Sequence, residues 1–450
     1  MKASAAFRSA FTQKSLSSLY FSFVRYRGTI GLDGIKAECF EKEIDSHIRT
    51  IQARAREGTY SFTPYRARLV SKGPRKAPRI LSIPTVRDKL LLRALMTVLG
   101  LVFSAHVHRR SLHGVIAKLF HEIRAHTVAP RYDWFLRFDV INYYPSIKHE
   151  LLYCELFRRI RKPEIRALLR KAVANPTKHD GDVVLPAIED TGIPQGLSIS
   201  NILADVYLDP LDREFGSRKD ISFLRYADDL LILCTSAAAE SVVRDLRTAL
   251  DRLSLRIPEF GDAFGKSAQG SLAEGFEFLG YTFSPSSISV RAESRKPLRD
   301  SLVAVLTSYK YSKKRRLQLV EWTVNLKITG CVFNHTRYGW IHYYSQMTDE
   351  GLLHSLDHFV QKQLRRFGIH RGKIRVKSFV RAWHEINFNS RRTSYIPDFD
   401  SYGPDDKRTC VRVVRDIDVS QFSDAEIDHE FRKIVYRSIQ QLEKDLEQTS

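Results

Sequence analysis

The stretch "LRYADDLLIL", residues 224–233, sets two carboxylates side by side within an apolar run. A carboxylate buried without a partner is costly, so Asp228 and Asp229 require either a solvated turn or a cation. Asp is a common turn residue, and the flanking apolar runs fit a β-hairpin. A turn is served equally by Asn-Gly, however, and accounts for neither acid. The stretch by itself leaves the turn and the metal site both open.

A third acid stands much earlier. Asp139 closes the apolar segment "FLRFDV". Alone it reads equally as a cap or a salt-bridge partner. A strand-end acid beside a hairpin that carries two more can gather three carboxylates at one sheet edge, where they repel unless divalent cations neutralise them. Oxygen-only ligands suit Mg²⁺, which keeps some water and binds phosphates. A pair of such ions is the device of in-line phosphoryl transfer. Between the acids lies "TGIPQGLSISN" (191–201). Pro194-Gln195-Gly196 forms a rigid turn that presents an amide, and Gly196 allows close backbone approach to a ligand.

The elements that must position these groups follow from periodicity. Residues 133–142 read as a buried strand and 222–234 as a hairpin. Residues 64–84 alternate Arg/Lys with apolar residues around Gly-Pro, the pattern of a basic β-hairpin, and a helix follows over 85–103. Residues 1–60 are mainly helical with a break at "GTIGLDGI" (28–35). Helices rich in Leu and Arg run to about 175, and 181–191 is a polar loop or hairpin. Amphipathic spacing predicts helix over 199–215 and again over 236–256, and "GFEFLGYTFS" (275–284) reads as a strand.

The chain has 450 residues, 72 Lys+Arg against 51 Asp+Glu, and a formal charge of +21. That excess points to a polyanionic partner, or else to a highly soluble basic surface. Between 291 and 381 the balance is 19 Lys/Arg to 6 Asp/Glu, with aromatics interleaved in "YKYSKKRR" and "RYGWIHYY". No segment reaches the roughly 18 apolar residues needed to span a bilayer, and "LLLRALMTVLGLVF" carries Arg93. The N-terminus is basic and Ser-rich without the apolar core of a secretory signal. Five scattered cysteines with no C-x-x-C pair argue against zinc and against a disulfide framework, and fit a reducing cytosol.

Taken in order, "GLDGI", "GTYSFTPYRARLVSK", "PRILSIPTVRDK", "LRFDVINYYPSI", "GIPQGLSISNILADVYLDPLD", "RYADD" and "EGFEFLGY" resemble the motifs of bacterial group II intron-like reverse transcriptases. The likeness covers about residues 16–285 and continues through "YGWIHYYSQMTDEGLLHSLDHFV" (338–360). It implies an α/β (α+β) right-hand polymerase with fingers, a palm of antiparallel sheet plus helices, and a helical thumb. The expected divisions are 1–129 fingers and N-terminal region, 130–290 palm, 291–385 basic thumb and 386–450 C-terminal extension. The implied activity is RNA-directed DNA polymerase, a nucleotidyltransferase, using two Mg²⁺ ions with Mn²⁺ as a substitute.

By the same resemblance Asp139, Asp228 and Asp229 form the metal-binding triad, with the carbonyl of Val140 as a further ligand. Gln195 borders the incoming nucleotide and the primer end. Lys72 and Arg79 grip the triphosphate, although this fingers loop is one residue longer than the usual pattern. Lys266, in "FGKSAQ", matches a lysine that helps protonate the pyrophosphate leaving group, with a solvated loop lysine as the other reading. Tyr144 occupies the sugar-sensing position, where its ring fills the space of a ribose 2′-OH and favours DNA synthesis over RNA synthesis. Tyr143, its neighbour on extended chain, would face the other way. Lys313, Lys314, Arg315 and Arg316 suit the phosphates of an A-form duplex.

Departures narrow the resemblance. "SAHVHRRSLHGVIAKLFHEI" (104–123) stands where group II enzymes carry a "SYGFRPGRS"-like stretch, "PQGLSISN" replaces "PQGGIISP", and no Cys- or His-rich endonuclease follows the thumb. The stretch "LKITGCVFNHTRYGWIHYYSQMTDEGLL" (326–353) looks closer to defence-associated, unknown-group reverse transcriptases, and within them resembles the first subunit of the type 3 two-enzyme defence system. The expected partners are an RNA template (a dedicated noncoding RNA), a DNA product, dNTPs, and a second reverse transcriptase or another copy of the chain, with no membrane, in the bacterial cytoplasm. The alternative is a group II maturase that assists splicing.

Overall fold

The computed structural model describes residues 2–446 except 27, 72–77, 105–111, 127–130, 183–188, 262–266, 371 and 391–392. The chain forms two compact units, Met1–Leu272 and Ala273–Ser450. Among the described residues no helix is long and apolar enough to cross a membrane.

The first unit is built on a four-stranded antiparallel sheet. Its strands are β3 (Trp134–Asp139), β5 (Ser222–Tyr226), β6 (Asp229–Cys234) and β7 (Ser267–Ser271), in the order β5-β6-β3-β7. Every residue from Leu230 to Cys234 is buried, so both faces of β6 are covered. This is why "LLILC" reads as a continuous apolar run rather than an alternation. Pairs such as Phe135↔Leu233 and Phe138↔Leu230 set the register of β3 on β6. A slip of one residue would turn every side chain to the other face.

A second, smaller sheet carries the expected basic hairpin. β1 (Tyr65–Val70) pairs antiparallel with β2 (Arg79–Ile83) and parallel with the short β4 (Thr177–Lys178). The helix Val86–Val102 follows β2. Its N-cap Thr85 accepts from the Asp88 amide at 3.1 Å, which ends the extended chain at Pro84.

Four expectations are corrected in detail. The helix read over 199–215 is two helices, Ser200–Tyr207 and Asp209–Gly216, which break at Leu208. Pro210 has no N–H to continue the first helix and sits well at the start of the second. The helix read over 236–256 starts as a 3₁₀ turn (Ser236–Ala238) and ends at Asp251. The strand read over 133–142 stops at Asp139, so Tyr143 and Tyr144 lie on a helical turn, Tyr143–Ser146, rather than on extended chain. The stretch 275–284 is a hairpin, β8 (Phe276–Phe278) and β9 (Tyr281–Phe283). It turns at Leu279 and Gly280, whose φ angles are 50° and 80°. Two successive residues with positive φ make the tight turn that matches strand twist.

The second unit opens with that hairpin, which β10 (Ile288–Val290) extends to three strands. The helices Ala292–Tyr311 and Leu317–Thr329 lead into a small hairpin, β11 (Cys331–Phe333) with β12 (Thr336–Tyr338). Leu326, Cys331 and Phe333 share one core with Phe399, Val411, Phe431 and Val435. The last sixty residues are therefore an integral part of this unit. The C-terminal helix Asp424–Lys444 starts from a capping box in which Ser423 and Glu426 satisfy each other's backbone amides. At its far end Asp445 accepts from the Lys327 ammonium at 2.8 and 3.2 Å, and both side chains are nearly fully buried.

Removing one member of such a pair strands the other charge. Asp445→Ala is expected to lower stability by about 3–5 kcal/mol, whereas Lys327→Met with Asp445→Leu should stay near wild type. Chemical denaturation of the single and double variants measures the difference.

Candidate active site

Asp139 is the last residue of β3 and Asp229 the first of β6, and the two are ladder partners. Side chains of directly opposed residues share a face of the sheet, with Cβ atoms about 5 Å apart. Asp228 lies in the two-residue turn between β5 and β6, because Tyr226 pairs with Asp229. Beyond the end of β3, the Val140 amide donates to the Asp228 carbonyl at 3.2 Å and ties this turn to the neighbouring strand. The three acids are thus brought to one end of the sheet, each half-buried. Of the two readings left open by "YADD", the turn is seen directly at Asp228, and it brings Asp228 and Asp229 beside Asp139. Ala227 holds a φ of 53°, the left-handed region where Gly or Asn would sit with less strain.

The side chains gathered here offer oxygen donors, the three carboxylates of Asp139, Asp228 and Asp229. Among the described residues no three His, Cys, Asp or Glu side chains close into a metal cage. Mg²⁺ commonly binds through one or two carboxylates plus water and substrate phosphates. The open, oxygen-rich arrangement fits that ion better than one that needs a preformed cage.

Tyr144 stands nearby. Its hydroxyl donates to Asn201 Oδ1 at 2.9 Å. Tyr143 is buried, with its hydroxyl donating to the Ala204 carbonyl. On the helical turn the two rings meet edge to face, with centroids 5.6 Å apart, rather than on opposite faces as extended chain would place them. The Pro194-Gln195-Gly196 loop is laced to this turn. Ile193 N donates to the Tyr144 carbonyl at 3.0 Å, Gly192 N to Ile147 at 2.8 Å, and His149 Nε2 to Gly192 at 2.7 Å. On its other side the Gln195 carbonyl accepts from Ser82 N of β2 at 2.7 Å. Gly196 has a φ of 94° and packs against Leu81 and Ser82.

Arg79 opens β2 and is exposed, and its charge reaches the Tyr144 hydroxyl. Lys72 and Lys266 lie outside the described residues. Lys313, Lys314, Arg315 and Arg316 belong to the second unit. The first three are exposed, while Arg316 is half-buried and donates to the Val413 carbonyl. Arg316 is therefore partly occupied within the fold.

Two polar residues at the site escaped the reading of the sequence. Asn201 holds the Tyr144 hydroxyl, and nothing in "SISN" signals that. Arg225 is buried beneath the turn between Asp205 and Asp212. Its signal was available, because an arginine inside an apolar strand needs buried acidic partners. "ADVYLDPLD" supplies two, seven residues apart.

Residues 70–283 match the family described as reverse transcriptase (RNA-dependent DNA polymerase). That segment, just under half of the chain, is a reverse transcriptase domain. A reverse transcriptase domain is the catalytic part of an RNA-directed DNA polymerase, and its antiparallel sheet flanked by helices is a right-hand polymerase fold. The chain is 24% identical over 296 residues to protein YkfC of Escherichia coli K12, covering 56% of this chain and 75% of YkfC. It is 26% identical over 193 residues to the group II intron-encoded protein LtrA of Lactococcus lactis, covering 41% of this chain and 30% of LtrA. The match spans under a third of LtrA. Telomerase from Candida albicans aligns over 90% of this chain and 67% of its own at 12% identity, with a TM-score of 0.43.

Burial, with the charges of Asp228 and Asp205, pushes the Tyr144 hydroxyl up to about 12, and Arg79 acts in the opposite direction. A negative neighbour disfavours the phenolate, so Asp228→Asn should lower this pKa and Arg79→Ala should raise it. NMR titration of ring-labelled tyrosine, assigned with Tyr144→Phe, reads both shifts.

Proposed function

We propose that the protein copies an RNA template, a dedicated noncoding RNA, into DNA in antiphage defence in the bacterial cytoplasm. The observation that carries the catalytic part is the opposition of Asp139 and Asp229 across β3 and β6, with Asp228 in the adjoining turn, inside a reverse transcriptase domain. Asp139, Asp228, Asp229 and the Val140 carbonyl would hold two Mg²⁺ ions, with Mn²⁺ as a substitute. When bound, these ions supply Lewis-acid activation of the primer hydroxyl and charge neutralisation on the triphosphate. Arg79 binds phosphate from β2, as Lys72 would from the same hairpin and Lys266 would toward the leaving group. Gln195, fixed through its carbonyl to β2, borders the base and the primer end. Tyr144 lies under the sugar. Lys313, Lys314 and Arg315 contribute phosphate contacts to the template duplex.

The likeness of "LKITGCVFNHTRYGWIHYYSQMTDEGLL" (326–353), with the departures from group II motifs, supports a defence-associated enzyme, and within that group the first subunit of a type 3 system with a second reverse transcriptase as partner. The likeness to LtrA, a group II intron-encoded protein, favours a second reading as a maturase-type RNA-binding protein. Sequencing the nucleic acid that copurifies with the chain separates the two. A compact noncoding RNA with its cDNA supports the first, and a flanking intron supports the second.

Asp228→Asn should abolish DNA synthesis on a primed RNA template while RNA affinity and melting temperature stay near wild type. Synthesis at a near wild-type rate would remove the carboxylates from the reading. Overpacking against a 2′-OH costs about 1–3 kcal/mol, roughly ten- to hundredfold in rate. Tyr144→Ala should therefore raise ribonucleotide use relative to deoxyribonucleotide by up to that factor in single-turnover assays. Tyr143→Phe, which deletes only the hydroxyl bonded to Ala204, should leave the ratio unchanged.

A further inference from the structure

We propose that Arg225 is a positioning residue for the turn that carries Asp228, which rests on the reading of Asp228 as a catalytic carboxylate. Its side chain is 2% exposed. Nε and Nη2 donate to the two oxygens of Asp212 at 2.8 and 2.7 Å, and Nη1 donates to Asp205 at 3.0 Å and to the Ala227 carbonyl at 2.7 Å. Asp205 and Asp212 lie on the successive helices Ser200–Tyr207 and Asp209–Gly216. One planar cation therefore joins two helices to the turn.

The bond to Ala227 is the functional one. The Ala227 carbonyl belongs to the peptide that joins Ala227 to Asp228, so fixing its direction fixes that peptide plane. The following peptide is held through the Asp228 carbonyl, which accepts from Val140 N at 3.2 Å. The backbone of Asp228 is thus clamped on both sides. Arg225 grips one side and the continuation of the Asp139 strand the other. Ala227, at a φ of 53°, is in a conformation that a non-glycine residue leaves unless its surroundings hold it. The guanidinium supplies that hold, and its bidentate bond to Asp212 keeps it from following the turn.

Burial disfavours the charged guanidinium, but Asp212 and Asp205 outweigh it and raise its pKa, so the group stays charged throughout the working range of an enzyme. Asp205 also acts electrostatically on Tyr143, Tyr144 and Tyr226. By pairing with Asp205, Arg225 offsets part of the charge that a fourth carboxylate brings beside the site.

Lysine cannot reproduce the fork. An ammonium can satisfy one acid but cannot hold both acids and the Ala227 carbonyl in one plane. The test is Arg225→Lys in the full chain, read by amide hydrogen exchange and by single-turnover synthesis. The expected result is faster exchange at residues 227–229 with the rest of β3 and β6 still protected. Template-primer affinity should be kept. The rate of the chemical step should fall about a hundredfold, the scale of a 1 Å misplacement among reacting groups. If the lysine variant does not fold, Arg225→Met with Asp205→Asn and Asp212→Leu removes the contact without leaving either acid charged opposite a lost partner, and the same results are expected. Asp205→Asn keeps the Ala227 bond and should leave exchange in the turn near wild type. A folded Arg225 variant with wild-type exchange at 227–229 overturns the proposal, as does unchanged single-turnover synthesis. Exchange is read without catalysis, so it reports on Arg225 even if Asp228→Asn should prove active.

Discussion

Two carboxylates face each other across adjacent strands, and much of the first unit answers to that constraint. Like charges directly opposed on a sheet are destabilising, so the Asp139↔Asp229 pair works against the register that creates it. The register is held from below. Leu230, Leu231, Ile232, Leu233 and Cys234 are all buried, and each pairs with a residue of β3. A slip that separated the acids would force that apolar run to repack on both faces of the strand. The repulsion is confined to the sheet end, where water and cations can reach it, and the cohesion lies in the interior.

Around this pair the site is assembled mostly by backbone. The turn at Asp228 is tied to Val140, the loop at Ile193 to Tyr144, and the Gln195 carbonyl to β2. Such bonds are indifferent to side-chain identity, so loops of differing sequence can keep the same geometry. The departure "PQGLSISN" keeps what this geometry needs, a glycine at a positive φ.

The legible parts of the chain were those where residue type dictates chemistry or period. Asp139, Asp228 and Asp229 declared themselves by sitting in apolar surroundings, and the basic hairpin and the core strands by their patterning. Positions decided by backbone angle were not legible. The residue at Asn142, with a φ of 45°, ends the extended chain and puts Tyr143 and Tyr144 on a helical turn. Leu279 and Gly280 fold an apparent strand into a hairpin. Pairings between distant segments were hidden as well, since a single sequence does not say that Asn201 will meet Tyr144. Arg225 lies between these cases. Its need for acidic partners was readable, but its bond to the Ala227 carbonyl depends on the turn having already formed.

The ion pair at the end of the C-terminal helix has a consequence for the order of folding. Lys327 and Asp445 are separated by 118 residues and close on each other in the interior of the second unit. During synthesis Lys327 must wait for almost the whole of that unit before its partner exists. The first unit has no such dependence and can complete its sheet while translation continues, as N-terminal domains generally do. Docking of the final helix of the second unit brings Lys327 its buried partner. Until then a desolvation penalty on Lys327 keeps its core open, so a ribosome stalled before Asp445 would hold a finished first unit joined to an unfinished second.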